Sequence, residues 1–376
     1  MLATEIATNQ LDSDTFLGRY WKAKTAGILT VICLITNIGL YLDKYPLFRS
    51  FYLVMTGRPD PYNAAIYWDA VRYQSADWLM EKLVVYPHYH VASMRFRLFL
   101  PVLYKLTHSF LFMYIIQVAV GMVVIYMATE VAYRTLKNRK LAFVFALGFV
   151  GIYAGAGFLL DMAAFGDSFA YAFMMGAIYF RKPLPIFLCV FLACWTDERA
   201  IFNMSLVILY HLLAPYREGQ LTRTASVSDL WPTKQMTAIL VAVVVHVAMR
   251  LWLMQHYHLT TPTGGNHVFF HVRTAMKTVG FRFWGGFEGF WLLLGAMLLV
   301  FWQRRRFWLV QLIALLTAIT AFTCLLQADY VRTAAYGFPL LFTALIFTKE
   351  EVSQRDLFWI LCGVALLSTF IYPEYY

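Results

Sequence analysis

The chain has 376 residues, of which 61% are hydrophobic and 14% charged, whereas a soluble domain is typically about half apolar and about a quarter charged. That balance excludes water as the main solvent, and recurring apolar runs of about 17 to 25 residues exclude a barrel of short alternating strands. The formal net charge of +10 is spread over short inter-helix loops, which fits lipid headgroups and topology signals and argues against nucleic acid as a partner.

A first span is predicted from about 25 to 42, preceded by Arg19, Lys22 and Lys24, which by the positive-inside rule hold the N-terminus in the cytoplasm. The polar lead-in is too long for a secretory signal, so this span reads as retained. Residues 43–97 form the longest polar stretch, a first outer loop. It holds the turn Arg58-Pro59-Asp60-Pro61 and an aromatic-rich amphipathic helix over about 62–83. A second span of about 110–133 returns to Arg134, Lys137, Arg139 and Lys140, and a third runs over about 141–160.

Asp161 and Asp167 flank the next outer turn, and a descending span ends at Arg181-Lys182. After Pro183 two short apolar stretches, reaching about Ala214, flank the cluster Thr196-Asp197-Glu198-Arg199. Neither is long enough alone for a comfortable crossing, so they read as two short helices meeting near the outer surface. Further spans are predicted over about 236–254, 287–302, 307–326, 335–347 and 357–372. The whole is one integral membrane domain over 1–376, comprising the first span, the outer loop and a helical bundle over 98–372. The fold class is therefore all-α: a polytopic membrane protein of about eleven transmembrane helices with a large amphipathic-helical first outer loop. The five cysteines fall inside apolar runs with no paired spacing and read as small core residues.

Counting crossings places Asp60, Asp69, Asp161, Asp167, Asp197, Glu198, Arg199, the histidines from His256 to His271, Asp329 and Arg332 on one side, the outer one. Ionisable residues at a bilayer edge are functional candidates unless they pair with each other. Arg199 has the planar fork that suits a phosphate, but Asp197-Glu198-Arg199 equally suits a salt-bridged junction. Asp329 and Arg332, three apart, either serve a site or neutralise one another. Asp69, in Tyr67-Trp68-Asp69-Ala70-Val71-Arg72-Tyr73, is a candidate general base toward a hydroxyl, with Asp60 as the fallback; the plainer alternative is a solvated helix face. Arg95 and Arg97 sit where the chain re-enters the membrane and either bind a lipid phosphate or anchor the helix. His88 with His90, His256 with His258, and His267 with His271 lack an acidic metal-site signature and read as interfacial polar residues, so no metal site is assigned.

Several of these features together resemble the GT-C superfamily of polyprenyl-phosphate-dependent membrane glycosyltransferases. In one bacterial branch the first-loop Asp has a Tyr four residues later, as Asp69 and Tyr73 do here. An Arg-rich stretch ending in Leu-x-Pro follows, to which Arg95-Phe96-Arg97-Leu98-Phe99-Leu100-Pro101 is similar. Thr196-Asp197-Glu198-Arg199 resembles that branch's Thr-Arg-Glu cluster with the order altered, and Asp329 to Arg332 resembles a late Asp-x-x-Arg. The chain departs from better-known members in lacking an adjacent acidic pair in the first loop. The resemblance implies a polyprenyl-phosphate-linked sugar as donor and a lipid or glycan acceptor. It implies a phosphate held by Arg95, Arg97, Arg199 or Arg332, and proton removal by Asp69 or Asp60. Asp167, Asp197, Glu198 and Asp329 are supporting polar residues, and the need for a divalent cation stays open. The absence of a sequon in an outer loop and of a retention signal favours a bacterial inner membrane, with the active face periplasmic. The alternatives are a lipid-linked glycan transporter or flippase, an outer-face glycan polymerase or ligase, and a structural assembly subunit.

Overall fold

The computed structural model describes residues 20–37, 45–58, 66–78, 94–217, 233–258, 279–325 and 330–370. Among them every regular element is helical and no strand occurs. In chain order the helices are α1 (Trp21–Thr36), α2 (Tyr45–Met55), α3 (Ile66–Ala76), a 3₁₀ turn (Met94–Phe96), α4 (Phe99–Thr107), α5 (Phe110–Leu136), α6 (Arg139–Gly151), α7 (Tyr153–Leu160) and α8 (Asp167–Tyr179). There follow α9 (Pro183–Thr196), α10 (Arg199–Arg217), α11 (Lys234–His256), α12 (Val279–Phe287), α13 (Phe290–Gln303), α14 (Phe307–Leu325), α15 (Tyr330–Ala335), α16 (Pro339–Glu351) and α17 (Gln354–Phe370).

Local chemistry sets several of these boundaries. The Ser109 side chain accepts the Phe112 N–H at 3.3 Å and starts the 27-residue α5, which ends where Lys137 adopts φ 55°. Thr233 caps α11 in the same way through the Met236 N–H. Pro183 opens α9 at a position whose missing N–H would have had no partner anyway.

Three helices, α5, α11 and α14, are each long and apolar enough to cross a membrane, and α6 with α7 makes a fourth candidate bent by 55°. Other apolar helices, α9, α10, α13 and α16 among them, are shorter. Large apolar side chains stand on the outside of the bundle, including Leu106, Phe112, Val244, Trp252, Leu299, Phe322 and Trp359. An exterior of this kind suits a hydrocarbon solvent and not water.

Several predicted boundaries are corrected. The first span corresponds to α1, which begins at Trp21, ahead of the expected 25; its expected end near 42 lies outside the described residues. The amphipathic helix of the first loop is α3, shorter than 62–83, and is accompanied by α2, which the polar reading of 43–97 misses. The third span is interrupted because Ile152 is extended (φ −91°, ψ 159°) between α6 and α7. The stretch at 335–347 is divided between α15 and α16. The two half-helices on either side of Asp197-Glu198 are present as α9 and α10.

Packing places α5 at the centre, against α1, α6, α7 and α8, while α6 lies along α17 and α9 lies between α8 and α11. A core of interlocked aromatic rings, Phe145 and Phe149 of α6 with Phe338 and Phe342, joins the first half of the chain to the last. The interface of α6 with α17 is close enough that a Cβ on Gly151 would stand 2.6 Å from the Ser368 carbonyl oxygen. Gly151→Ala should therefore destabilise the protein by about 1–3 kcal/mol through overpacking. The readout is a lowered midpoint of thermal unfolding in detergent. Gly27→Ala, with nothing within 4 Å of the new atom, should leave that midpoint unchanged or slightly raised, because alanine suits a helix better than glycine.

Candidate functional site

Charged side chains collect at the two ends of the bundle in different ways. At one end Glu130 is bridged by Lys22 and Arg134, Arg134 also donates to the Tyr179 carbonyl at 2.9 Å, and Arg304 pairs with Glu351. Exposed cations lie around these contacts, in keeping with the basic loops of the sequence.

At the opposite end six charges form a network, four of them buried and Arg97 and Glu198 partly so. Asp167 is the first residue of α8, and Gly166 before it takes φ 83°, a conformation glycine adopts without strain. One Asp167 oxygen accepts from Arg199 and from the Tyr336 hydroxyl (3.1 Å), and the other from Arg332 Nε at 2.5 Å. Asp197 accepts from the Arg199 backbone N–H (2.8 Å) and Nε (2.9 Å), and its second oxygen from Arg199 Nη2 (2.6 Å) and Arg97 Nη1 (3.0 Å). Glu198 takes the other side of Arg97 in a two-point contact at 3.1 and 3.0 Å. Three arginines thus meet three carboxylates. Arg332 stacks over Phe165 at 3.4 Å and Arg199 lies 5.0 Å from the Tyr336 ring. Arg199 is 2% exposed and Arg332 3%, while Asp167 and Asp197 are fully buried.

Burial opposes ionisation of Asp197, but Arg199 and Arg97 more than offset it and hold the carboxyl well below the usual range. Asp161, in the turn before α8, accepts the N–H groups of Phe165 (3.1 Å) and Gly166 (2.9 Å). Burial and the nearby Asp167 push its carboxyl up to about 6, against the pull of Arg332 and those two donors.

Three of the four arginines expected to hold a phosphate lie in this network. The faces of Arg199 and Arg332 carry carboxylates, and Arg97 spans Asp197 and Glu198, so a phosphate finds these cations already neutralised at close range. Arg95 is buried beneath α3, its carbonyl accepting from Gln74 Nε2 at 2.8 Å. Arg332 has Asp167 as a partner; its predicted neighbour Asp329, Asp60 and the histidines at 88, 90, 267 and 271 lie outside the described residues. The supporting residues Asp167, Asp197 and Glu198 come together as the anionic half of the network.

Asp69 is elsewhere. Helix α3 turns Trp68 and Val71 into a small apolar core with Leu100, Met113 and Phe169, and the Trp68 indole donates to the Met162 carbonyl at 2.7 Å. That docking points Asp69 and Arg72 the other way, where Arg72 donates to Asp69 at 2.7 Å. Their side chains are 42% and 60% exposed, and they line a cavity of about 620 Å³ with Arg58, Tyr104, His108, Ser109 and Phe110. Arg58, Arg72 and His108 are thus cavity residues that the sequence reading did not single out. Their one available signal was proximity to Asp69 or to the start of a long apolar helix. No three His, Cys, Asp or Glu side chains gather as metal ligands among the described residues. Comparison of the chain with protein-family models, with curated proteins and with solved structures found no match.

The two clusters differ in how readily they exchange partners. An exposed pair three residues apart on a helix stabilises by about 0.2–0.5 kcal/mol, whereas removing one member of a buried pair costs about 3–5 kcal/mol by leaving the other charge without compensation. Arg199→Ala should therefore yield a protein that aggregates or unfolds during purification, measured as loss of the monodisperse peak in size-exclusion chromatography. Arg72→Ala should purify like the unmodified chain.

Proposed function

We propose that the chain is an integral membrane glycosyltransferase that moves a sugar from a polyprenyl-phosphate donor to a lipid or glycan acceptor, with the cavity beside α3 as its reaction site. The observation that carries this reading is the cavity itself. One carboxylate, two guanidiniums, an imidazole and the start of a 27-residue apolar helix meet around about 620 Å³. A donor of this class needs those same parts in one place: a cationic corner for phosphate, a proton acceptor, and an apolar path for the tail.

The first N–H groups of α5 have no acceptor within their own helix, and the helix dipole adds positive potential there. Together with Arg58, Arg72 and His108 they form an anionic-ligand corner in which a phosphodiester is held. Exposed Leu106 near the end of α4, and Leu111, Phe112 and Ile115 near the start of α5, give an isoprenoid chain apolar surface to follow. An acceptor hydroxyl entering the cavity attacks the anomeric carbon in line. The new carbon–oxygen bond forms as the bond to the phosphate oxygen breaks, the electron pair leaves with the phosphate, and Asp69 takes the hydroxyl proton. The cations stabilise charge gathering on the departing polyprenyl phosphate.

Membrane embedding is supported by the three helices long and apolar enough to cross, α5, α11 and α14, and by the bent pair α6 and α7. We infer that the shorter apolar helices also cross, which gives about eleven crossings. The basic loops support a cytoplasmic reading of that end, and we infer a bacterial inner membrane with the cavity on its outer face.

Single cysteines introduced by Arg58→Cys and His108→Cys should be labelled by an impermeant reagent in intact cells, and those from Asn138→Cys and Arg305→Cys only after permeabilisation. Reversal of both pairs would overturn the orientation. For catalysis, purified protein in nanodiscs is assayed with a panel of polyprenyl-phosphate sugars. Asp69→Asn should cut turnover by about 10²- to 10⁴-fold while donor binding survives. Turnover within about threefold of the unmodified protein would remove Asp69 from the role of base.

A further inference from the structure

The contact between Asp69 and Arg72 is where the cavity can change state without the fold changing. Both residues ride on α3, whose other face is held by the Trp68 hydrogen bond to Met162, by buried Val71, and by the Gln74 hydrogen bond to the Arg95 carbonyl. Rotation of the Arg72 side chain alone breaks the pair. The pair is a contact between one Arg72 nitrogen and one Asp69 oxygen, at 2.7 Å and partly in solvent, so little holds it against a competitor. A phosphate is a strong one, because it offers several acceptor oxygens to a guanidinium that presents five N–H donors in a fixed fork. Asp69 is thus paired with the cation that such a ligand would attract.

We propose that Arg72 is a donor-sensing positioning residue: an arriving phosphate takes Arg72 from Asp69, and the carboxylate so released becomes the unpaired proton acceptor. This rests on the reading of the cavity as the donor site and adds an order of events to it. Before the donor binds, the base is masked. After it binds, the same guanidinium neutralises phosphate charge and leaves the Asp69 oxygens open to the acceptor hydroxyl. Base activation is thereby coupled to donor occupancy, and an acceptor alone, or water alone, meets a carboxylate already engaged. The network around Arg199 is unsuited to this role, since each buried charge there would lose its partner in the dry interior.

The test is a double-mutant cycle on binding, read by isothermal titration of farnesyl phosphate into the full chain in detergent, for the unmodified protein, Asp69→Asn, Arg72→Gln and the double variant. Exchange predicts that Asp69→Asn tightens binding by about threefold or more, because Arg72 no longer has a partner to leave. It also predicts that adding Arg72→Gln to Asp69→Asn weakens binding by about tenfold, the loss of a charge-assisted contact to phosphate. If adding Arg72→Gln to Asp69→Asn shifts affinity by less than twofold while the unmodified chain binds farnesyl phosphate, Arg72 does not take the phosphate. The exchange is then overturned and the donor site stands. If neither the unmodified chain nor any variant binds farnesyl phosphate, the donor site and the exchange fall together.

Discussion

The buried contact of Asp167 with Arg199 and Arg332 is the constraint on which the arrangement of this end of the bundle depends. Asp167 begins α8, Arg199 begins α10 and Arg332 lies on α15, so one carboxylate joins segments separated by 32 and 165 residues. Asp197 and Arg97 extend the tie to the end of α9 and to the turn before α4. Each of these charges would be costly to hold in a dry interior alone. Three against three, with Tyr336 and the Arg199 backbone N–H supplying further hydrogen bonds, they are tolerated together. The consequence is positional: the 161–166 turn, which receives the Trp68 indole through Met162, is held against the same network by Phe165 beneath Arg332.

That fixed platform explains why a weak pair is found beside it. Helix α3 rests on the turn through its apolar face, and the face it turns to the cavity carries Asp69 and Arg72, both partly exposed. Rigidity comes from the buried charges and from Trp68. Responsiveness comes from a contact exposed enough to be exchanged at small cost. Sites that must both hold geometry and change partners gain from this separation, because preorganised neighbours leave only one side chain to move.

The other end of the bundle uses charge differently. Lys22 and Arg134 converge on Glu130 while Lys22 lies 5.3 Å from the Tyr133 ring centroid and Arg134 4.4 Å from the Tyr179 ring centroid. This joins α1 to α5 and α8 through long side chains whose apolar stems lie among aromatics and whose charges stay near the bundle end. Cations there serve as clamps and as surface charge, whereas at the network end they are consumed by carboxylates.

Much of this was legible in the chain itself. An apolar content of 61%, with polar residues gathered in short segments, decides that the elements are helices and that their outer faces stay apolar. The interruption at Thr196-Asp197-Glu198-Arg199 marks the break between α9 and α10, because four polar residues cannot continue an apolar face. Gathering of Asp161, Asp167, Asp197 and Glu198 at one end follows from the order of helices and turns in the chain. What the sequence left undecided was partnership. Arg332 binds Asp167, a partner 165 residues away that spacing does not reveal; Arg199 has the fork for a phosphate, and it is filled by Asp167 and Asp197. Spacing along a helix ranks only local partners, and a buried cation takes whichever carboxylates the packed helices bring within reach of it. The separation of Asp69 from that network, and its company of Arg58, Arg72 and His108, was decided by which face of α3 its tryptophan buries, and that choice exists only once the 161–166 turn is there to receive it.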